Sequence, residues 1–383
     1  MADPLKLFIL AGEPSGDRIA ADLVARLRQR MPLELTGVGG DELSAAGLTS
    51  LYPMSNLSVM GLSDVLRRLP LLLWRIEQTA RAIRSTRPDT VVLVDAQDFS
   101  QLLARRLKSL GFAGKVILYV SPSVWARHPE RAAKLRPLFD EVLAVLPFEP
   151  AVMLRLGGPP TSYVGHPALA ERLDRLVELD SGPLILLPGS REGELRRHLP
   201  LFRDVVAGLS DHSSIDGIVI PTLPVLAARI RDEVAAWPVP VSVVDARSER
   251  PALYGRAIAA LAVSGTATLE LALARLPMVV SYVMDSHQAP AYERYGRPVV
   301  SLPNIILGRS VVPEFVQAPA DAFALGAALR ILLDDKKARQ SQIEAFGELV
   351  DLMETGEPEF PRQDPADRIL SHWQGNQRLP RPS

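Results

Sequence analysis

The sequence predicts an α/β protein made of two doubly wound, Rossmann-like domains that face a cleft. Its 383 residues are too many for one ordinary domain and suffice for two, each with its own core. Short apolar runs alternate with longer amphipathic segments, which is typical of a parallel sheet covered by helices on both faces. The alternation starts again near Leu184, so the pattern of one sheet occurs twice.

The strands and domain limits follow from this alternation. In the first half, the predicted strands are Leu5–Ala11, Val91–Val94, Val116–Val120 and Val142–Leu146. In the second half, they are Leu184–Leu187, Gly217–Ile220, Val241–Val244, Ala259–Val263 and Met278–Val283. We predict domains at 1–167 and 183–353 and a Pro-rich C-terminal arm or tail at 354–383. Ligands of such sheets bind at the carboxyl ends of the strands, and we expect the site in the cleft between the domains.

Composition excludes several kinds of protein. The 43 basic and 44 acidic side chains nearly cancel, which argues against nucleic-acid binding over the whole surface. The absence of cysteine excludes disulfides, thiolate nucleophiles and cysteine-ligated zinc. The sequence lacks the charged start and long apolar middle of a signal peptide, and no run approaches the roughly 18 apolar residues of a membrane span. We expect a cytoplasmic protein with, at most, peripheral membrane contact.

Two turns of the first domain carry side chains that suit a sugar. The turn after the first strand holds Glu13, Ser15 and Asp17, although Asp17 suits a helix cap equally well. The turn after Val116–Val120 holds Ser121, Ser123 and Trp125. An indole stacks on sugar rings and hydroxyls hydrogen-bond to them, but an ordinary loop between domains also uses these residue types. We assign all six side chains to an acceptor side of the cleft.

A pair of carboxylates follows the strand Val91–Val94. Asp95 and Asp98 are predicted at the carboxyl edge of the sheet, where a carboxylate can act as a general base. The alternative interpretation is that Asp98 caps the helix predicted over Phe99–Leu110. The spacing differs from the Asp-x-Asp pattern with which some sugar-nucleotide enzymes bind a metal, so we predict no required metal.

Two turns of the second domain have the chemistry of a nucleotide site. Gly189, Ser190 and Arg191 follow the first strand of that domain, and a glycine turn with a hydroxyl and a guanidinium suits a diphosphate. A later turn opens a helix with free amides, hydroxyls and a carboxylate suited to a ribose diol. Its residues are Ser264, Gly265, Thr266, Thr268 and Glu270. A surface arginine after a turn, and helix caps alone, are the alternatives.

The segment Leu57–Ile76 combines apolar residues at helical spacing with arginines. The positions that we assign to membrane or acyl-chain contact are Leu62, Val65, Leu66, Leu69, Leu72, Leu73 and Trp74. A basic amphipathic surface of this kind lies in an anionic bilayer interface or holds acyl chains. A helix that faces the core has the same spacing, so this alternative stays open. Pro70 predicts an interruption of the helix.

Taken in order, nine motifs resemble lipid-A-disaccharide synthases. They are Ala11–Asp17, Met60–Leu62, Asp95–Phe99, Tyr119–Ala126, Leu146–Glu149, Tyr163–Pro167, Leu187–Arg191, Ser264–Glu270 and Ser301–Arg309. The resemblance covers roughly residues 5–320 and implies the GT-B architecture of an inverting glycosyltransferase. It implies that UDP-2,3-diacylglucosamine and 2,3-diacylglucosamine 1-phosphate react, without a cofactor, to the β-1,6 disaccharide of lipid A and UDP. The implied place is the cytoplasmic face of the inner membrane, and a homodimer is left open.

The resemblance also implies roles for single residues. Asp98 becomes the base for the acceptor 6-hydroxyl, Arg191 binds the donor diphosphate, and Asn304 and Arg309 complete the nucleotide site. Arg127 stands where the family usually has a second tryptophan, and the stretch 278–300 lacks usual family elements, so donor contacts there are not transferred. Two rivals stay open: another GT-B enzyme of UDP-N-acetylglucosamine (an epimerase or N-acetylglucosaminyltransferase), and a non-catalytic lipid- or nucleotide-binding module.

Overall fold

The computed structural model describes residues 3–57, 62–170, 179–285, 288–317 and 320–377. Within these ranges, the side chains of 62–67, 247, 291 and 375–377 are not described. The chain divides into two compact units. The first comprises Met1–Pro167 together with Thr355–Ser383, and the second comprises Ala168–Glu354. The segment predicted as a C-terminal arm or tail therefore clusters with the first unit.

The first unit is a six-stranded parallel sheet with helices on both faces. Its strands are β1 (Leu5–Ala11), β2 (Leu33–Val38), β3 (Thr90–Val94), β4 (Lys115–Tyr119), β5 (Glu141–Ala144) and β6 (Thr161–Tyr163). Its helices up to this point are α1 (Pro14–Arg28), α2 (Asp41–Ala45), α3 (Leu62–Thr86), α4 (Gln97–Ser109), α5 (Arg131–Leu135) and α6 (Glu149–Arg155). The strand order is β2-β1-β3-β4-β5-β6. Because the chain crosses from β2 back over β1 to β3, the topological switch point lies between β1 and β3.

Burial explains why these apolar runs form central strands. Leu10, Leu93 and Leu118 come from three neighbouring strands and pack on one face with Ile83 of α3 and Leu103 of α4. All five side chains are fully buried. Burial of one such side chain stabilises the fold by about 1.5–3 kcal/mol. The polar loops after the strands are thereby fixed along one edge of a rigid sheet.

The second unit repeats this architecture. Its strands are β7 (Gly182–Leu187), β8 (Ile215–Pro221), β9 (Ser242–Val244), β10 (Ala259–Val263), β11 (Met278–Val283) and β12 (Glu314–Gln317). Its helices are α7 (Glu192–Ala207), α8 (Pro224–Val234), α9 (Arg250–Arg256), α10 (Thr266–Leu273), α11 (Gln288–Arg294), α12 (Leu302–Leu307), α13 (Ala322–Asp334) and α14 (Lys336–Thr355). The strands pair in parallel in the order β12-β11-β10-β7-β8-β9, the arrangement of dinucleotide-binding Rossmann sheets. The switch point of this sheet lies between β7 and β10.

Two local expectations are corrected by the structure. Pro70 does not interrupt α3, which runs from Leu62 to Thr86 and is anchored beyond the proline by the buried side chains of Ile76 and Ala80. Val120 is not the last residue of β4, because its φ of 77° turns the chain out of the strand. The short edge strands β6 and β12 were not predicted, since three or four residues give little periodicity.

The C-terminal segment is a packed part of the first unit. It forms β13 (Gly356–Glu357), β14 (Phe360–Pro361) and α15 (Pro365–Gln377). Glu141 of β5, which is 1% exposed, accepts hydrogen bonds from Ser162 Oγ at 2.6 Å and Arg368 Nε at 2.9 Å. His372 Nε2 lies 2.6 Å from the other oxygen of the same carboxylate. A buried acid in the sheet thus holds the last helix in place.

We expect Arg368→Ala to lower the free energy of unfolding of the first unit by about 2 kcal/mol. The change removes a charge-assisted hydrogen bond to a buried carboxylate. Urea unfolding followed by circular dichroism measures the loss. The control is Arg81→Ala, which removes an exposed i,i+4 pair with Glu77 and should cost much less than Arg368→Ala. Equal losses in both variants would contradict the structural role of Glu141.

Candidate active site

The switch point of the first sheet brings the loops after β1 and β3 into contact. A Cβ atom on Gly12 would lie only 2.4 Å from Cβ of Ala96, so the close approach of the loops requires glycine. A Cβ atom on Gly16 would lie 3.3 Å from Cβ of Asp95. The turn that carries Glu13 therefore meets the turn that carries the predicted carboxylate pair.

The backbone at this edge of the sheet is strained. Asp95 and Ala96 have φ angles of 57° and 46°, and Val120, at the end of the neighbouring strand, has 77°. Left-handed conformations of residues other than glycine cost about 1–3 kcal/mol each and cluster at functional sites. Two hydrogen bonds hold them: Asp95 N donates to Tyr119 O at 3.0 Å, and Gln97 Nε2 donates to Val120 O at 2.9 Å. Strain at two adjacent strand ends marks this edge as a candidate active site.

Asp98 presents an open carboxylate at this site. It lies in the first turn of α4, whose N-cap is Ala96, so Asp98 is not the cap that the alternative prediction made it. The side chain is exposed and has no hydrogen-bond or ion-pair partner within the described ranges of the chain. Asp98 is thus available to accept a hydrogen bond from a ligand hydroxyl.

Asp95 and Glu13 form a second acidic pair beside Asp98. Burial, and then the negative charge of Glu13, raise the pKa of Asp95, while the amide of Ala96 opposes this effect. Glu13 and its neighbour Ser15 are exposed on the same turn. The site therefore offers several oxygen acceptors to a polyhydroxylated ligand.

Asp17 has a structural place. It is 2% exposed, and its two carboxylate oxygens accept hydrogen bonds from Gly40 N at 2.8 Å and Glu42 N at 2.9 Å. These are amides at the start of α2, so Asp17 caps that helix from another part of the chain. These contacts agree with the alternative that Asp17 is a helix cap. Both oxygens of its carboxylate are engaged by backbone amides.

The loop after β4 is tied to the loop after β5. Ser123 is exposed and Ser121 is 5% exposed, whereas Trp125 is partly exposed and donates from Nε1 to Glu149 Oε1 at 3.3 Å. Burial raises the pKa of Glu149 to about 7, although the amide of Leu146 and the indole lower it. Glu149 had no predicted role. An acid at the start of a helix directly after a buried strand is the signal that could have singled it out.

In the second unit, the predicted diphosphate clamp lies at the switch point after β7. Gly189 has φ of 104°, and a Cβ atom there would lie 2.5 Å from Glu194 Oε2. That oxygen accepts the amides of Ser190 at 3.0 Å and Arg191 at 3.2 Å. The backbone amides of Ser190 and Arg191 are therefore already hydrogen-bonded to Glu194. The Arg191 guanidinium, 78% exposed and 3.1 Å from Glu194 Oε1, is the cation of this turn that can reach an anion.

The loop after β10 lies on the other side of the same switch point. The hydroxyl of Ser264 donates to Val300 O at 2.7 Å, and the buried hydroxyl of Thr268 donates to Gly265 O at 2.8 Å. Both hydroxyls thus shape the loop. Thr266 is exposed at the first position of α10, and Glu270 is half-buried one turn later. The exposed start of α10 is the part of this loop that suits an anion.

Asn304 is committed to holding a loop. Its Oδ1 accepts hydrogen bonds from the amides of Val311 at 2.8 Å and Val312 at 2.9 Å. Its Nδ2 donates to Val312 O at 2.9 Å and to Glu314 Oε1 at 2.7 Å. The residue is 1% exposed. These contacts give Asn304 a structural role ahead of β12, and the nucleotide contact that the resemblance implies stays a prediction.

Arg309 lies away from the loop of Ser264. The start of α12 is near that loop, because Ser264 bonds to Val300, but Arg309 follows the other end of the helix, about 9 Å farther along its axis. There it pairs with Glu348 of α14 at 2.7 Å. The same helix hydrogen-bonds through Gln342 to Met278, the first residue of β11. Arg309 thus belongs to the amino edge of the sheet, opposite the predicted nucleotide site.

The predicted membrane surface on α3 is exposed in part. Leu69, Leu73 and Trp74 are 41%, 53% and 55% exposed. Leu72 instead packs against the core. Arg75 stacks between the rings of Trp74 and Tyr52, with its Cζ 4.4 Å and 4.3 Å from their centroids. The predicted positions whose side chains lie outside the described residues are Leu62, Val65 and Leu66.

The described residues contain neither a metal-binding cluster nor a membrane-spanning helix. Among the described residues, no three His, Asp or Glu side chains cluster so that they would hold a metal ion. Within the same residues, every helix falls short of the length or apolarity needed to cross a bilayer.

Comparisons with known proteins agree over almost the whole chain. A family model described as Lipid-A-disaccharide synthetase matches residues 7–361. The Lipid-A-disaccharide synthase of Rhodopseudomonas palustris (strain BisB18) is 41% identical over 377 residues, which cover 95% of both chains. That of Nitrobacter hamburgensis is 39% identical, also with 95% of both chains covered.

Solved structures of low sequence identity share the fold. The Staphylococcus aureus MnaA–UDP co-structure aligns with a TM-score of 0.61 and 14% identity, covering 100% of this chain and 99% of that one. Acinetobacter baumannii MurG aligns with a TM-score of 0.55 and 13% identity, covering 91% and 99%. The likeness extends the two-Rossmann, GT-B arrangement to this chain as a fold.

Proposed function

The chain belongs to the lipid-A-disaccharide synthetase family, and on this premise we propose a specific reaction for it. It is a glycosyltransferase of lipid A biosynthesis. The proposed donor is UDP-2,3-diacylglucosamine, and the proposed acceptor is 2,3-diacylglucosamine 1-phosphate. The observation that carries the assignment is the identity of 41% over 95% of a relative's length. The solved MnaA and MurG structures of the same fold reach only 14% and 13% identity.

The first unit binds the acceptor in this proposal. The carboxylate of Asp98 accepts the proton of the 6-hydroxyl as its oxygen bonds to the anomeric carbon of the donor sugar. The bond between that carbon and the diphosphate oxygen breaks, and UDP leaves with the bonding electron pair. Inversion at the carbon gives the β-1,6 linkage. The exposure of Asp98 and the absence of a competing partner in the described chain support its role as base.

The second unit binds the donor. Arg191 contacts the diphosphate, where its charge stabilises the leaving group. The start of α10 contributes amides to the same anion, and Glu270 binds the ribose diol. Asn304 and Arg309 are left out of this site because their side chains are engaged elsewhere. The proposal assigns charge stabilisation to a guanidinium and amides, so turnover needs no added metal.

The acylated substrates place the enzyme at a membrane surface. We propose peripheral binding to the cytoplasmic face of the inner membrane through the exposed residues Leu69, Leu73 and Trp74 of α3. Leu69 and Leu73 are four residues apart and lie on the same side of the helix. Arg68, which is exposed beside them, suits an anionic headgroup.

The double change Leu69→Ser with Leu73→Ser should weaken co-sedimentation with anionic phospholipid vesicles on the order of tenfold. Each leucine contributes on the order of 1 kcal/mol through burial of apolar area in the bilayer interface. UDP binding should stay unchanged. The matched control is Phe323→Ser with Ile331→Ser on α13, two apolar side chains that are 86% and 59% exposed. Equal sedimentation of both double variants would contradict membrane contact through α3.

The deciding assay incubates the protein with both acylated sugars and a chelator and measures disaccharide and UDP. We expect equimolar products. Conversion of UDP-N-acetylglucosamine to its epimer, or its transfer to another acceptor, would instead support the GT-B rivals. Binding of UDP and lipid without turnover would support the non-catalytic module.

A further inference from the structure

Glu149 is a buried acid at the active-site edge of the first sheet that the proposed reaction does not use. It is the first residue of α6, directly after the loop that leaves β5, and it is 3% exposed. Its Oε2 accepts hydrogen bonds from the amides of Val145 at 3.2 Å and Leu146 at 3.0 Å. Its Oε1 accepts the indole N–H of Trp125 at 3.3 Å. Both oxygens are thus satisfied by N–H groups.

The geometry of these three hydrogen bonds requires the ionised form of Glu149. A carboxylate accepts all three N–H donors, whereas a carboxylic acid carries an O–H that must itself donate. The ionisable side chain that faces Glu149 is the phenol of Tyr163 in β6, whose pKa burial raises far above its ordinary range. Across the described parts of the chain, no cation acts on Glu149. The positive charge of Arg362 lowers the pKa of Tyr163, against the effect of burial.

Two contacts of the Trp125 ring, in addition to its packing against the core, come from one turn. Phe148 precedes Glu149 and meets the indole edge to face, with ring centroids 5.3 Å apart and an interplanar angle of 83°. The carboxylate of Glu149 binds the indole nitrogen. Together they hold a partly exposed indole in the loop after β4, which begins at the strained Val120. An aromatic face held in this way suits stacking on a sugar ring.

We propose that Glu149 is a positioning residue whose ionised carboxylate holds the Trp125 indole so that its face stacks on the acceptor sugar. The proposal rests on the proposed function, since it takes the acceptor to be a sugar bound by the first unit. Glu149 acts through Trp125 and does not touch the reacting atoms.

Protonation of Glu149 gives the proposal a measurable pH dependence. Burial without a cation raises the pKa of the carboxyl to about 7. As the pH falls through 7, the acid takes up a proton and Trp125 loses its charged acceptor, so the KM for the acceptor should rise. The free energy of unfolding should change with pH in the opposite direction to acceptor binding. The folded pKa lies above the ordinary value of 4.5, so the stabilising effect of proton uptake is complete below 4.5 and is lost as the pH rises through 7.

The first test needs no substrate. The emission spectrum of Trp125, taken as the difference between wild type and Trp125→Phe, is titrated between pH 5 and 9. We expect a transition with a midpoint near 7 that disappears in Glu149→Gln. The matched control Phe148→Leu, which removes the edge-to-face contact to the ring, should keep the transition. A wild-type spectrum without this transition, or the same transition in Glu149→Gln, would overturn the proposal.

The second test separates positioning from general structure. At pH 8, Glu149→Gln should raise the KM for 2,3-diacylglucosamine 1-phosphate about tenfold while kcat and the donor KM stay within about twofold. The wild-type KM should approach the variant's value below pH 6. The variant should resist urea better than wild type at pH 8, because it carries no buried charge. Parallel losses of kcat and stability would refute positioning. Failure to make disaccharide would refute the proposed function and leave the emission test unaffected.

Discussion

Asp98→Asn should lower kcat about 10³-fold with little change in the KM of either substrate. The amide keeps the size and hydrogen-bonding reach of the carboxylate but cannot accept the proton of the acceptor hydroxyl. Asp98 is not the cap of α4, so the change leaves the helix start intact. Steady-state formation of disaccharide, measured with saturating donor, gives the size of the loss.

Asp95→Asn is the discriminating control for the base. Asp95 lies three residues away at the same edge and also bears a carboxylate, whose pKa is raised by burial and by Glu13. If Asp98 is the base, Asp95→Asn should retain turnover within about tenfold. Full turnover of Asp98→Asn, together with loss in Asp95→Asn, would move the role of base to Asp95.

Arg191→Ala should lower kcat/KM for the donor about 10²–10³-fold. The guanidinium is exposed at the switch point of the second sheet, and in the proposed reaction its charge stabilises the departing diphosphate. Glu194 still accepts the amides of Ser190 and residue 191 in this variant, so the turn should keep its shape. Arg191→Lys should recover little, because an ammonium lacks the planar pair of donors. Initial rates measure kcat/KM for the donor, and displacement of bound UDP measures the affinity for the diphosphate.

Arg309→Ala is the matched control for Arg191. Both arginines are exposed and each pairs with one glutamate, but Arg309 lies at the amino edge of its sheet next to Glu348. We expect UDP affinity within about threefold of wild type. A loss as large as that in Arg191→Ala would return Arg309 to the nucleotide site.

The sequence was most informative where a residue's place depends on its neighbours in the chain. The strands β1, β10 and β11 have the bounds that their apolar runs predicted. Polar residues directly after these runs fall at strand ends because a parallel strand ends where its buried positions end. By the same reasoning, the apolar runs of β1, β3, β7 and β10 predict that the turns of Glu13, Asp98, Arg191 and Ser264 lie at the carboxyl edges of two sheets.

Partners from distant parts of the chain were beyond such reasoning. Asp17 and Asn304 look like ligand-binding side chains in sequence, yet one caps a helix that starts 24 residues later and the other ties down a loop. The sequence pattern shows at which edge of the sheet a polar side chain lies. Packing decides which donor or acceptor of the protein already hydrogen-bonds to that side chain. The C-terminal helix is a larger case, since its anchor Glu141 lies 227 residues before Arg368.

The sequence by itself determined two parallel sheets, their polar edges and the family to which their ordered motifs belong. These are properties of short segments, fixed by apolar periodicity and by the residues that interrupt it. Only the tertiary structure decided that Glu194 occupies the amides beside Arg191, that Arg309 faces away, and that Glu149 holds Trp125. Each of these depends on contacts across strands or helices, where burial and hydrogen-bond satisfaction act on residues that the sequence keeps apart.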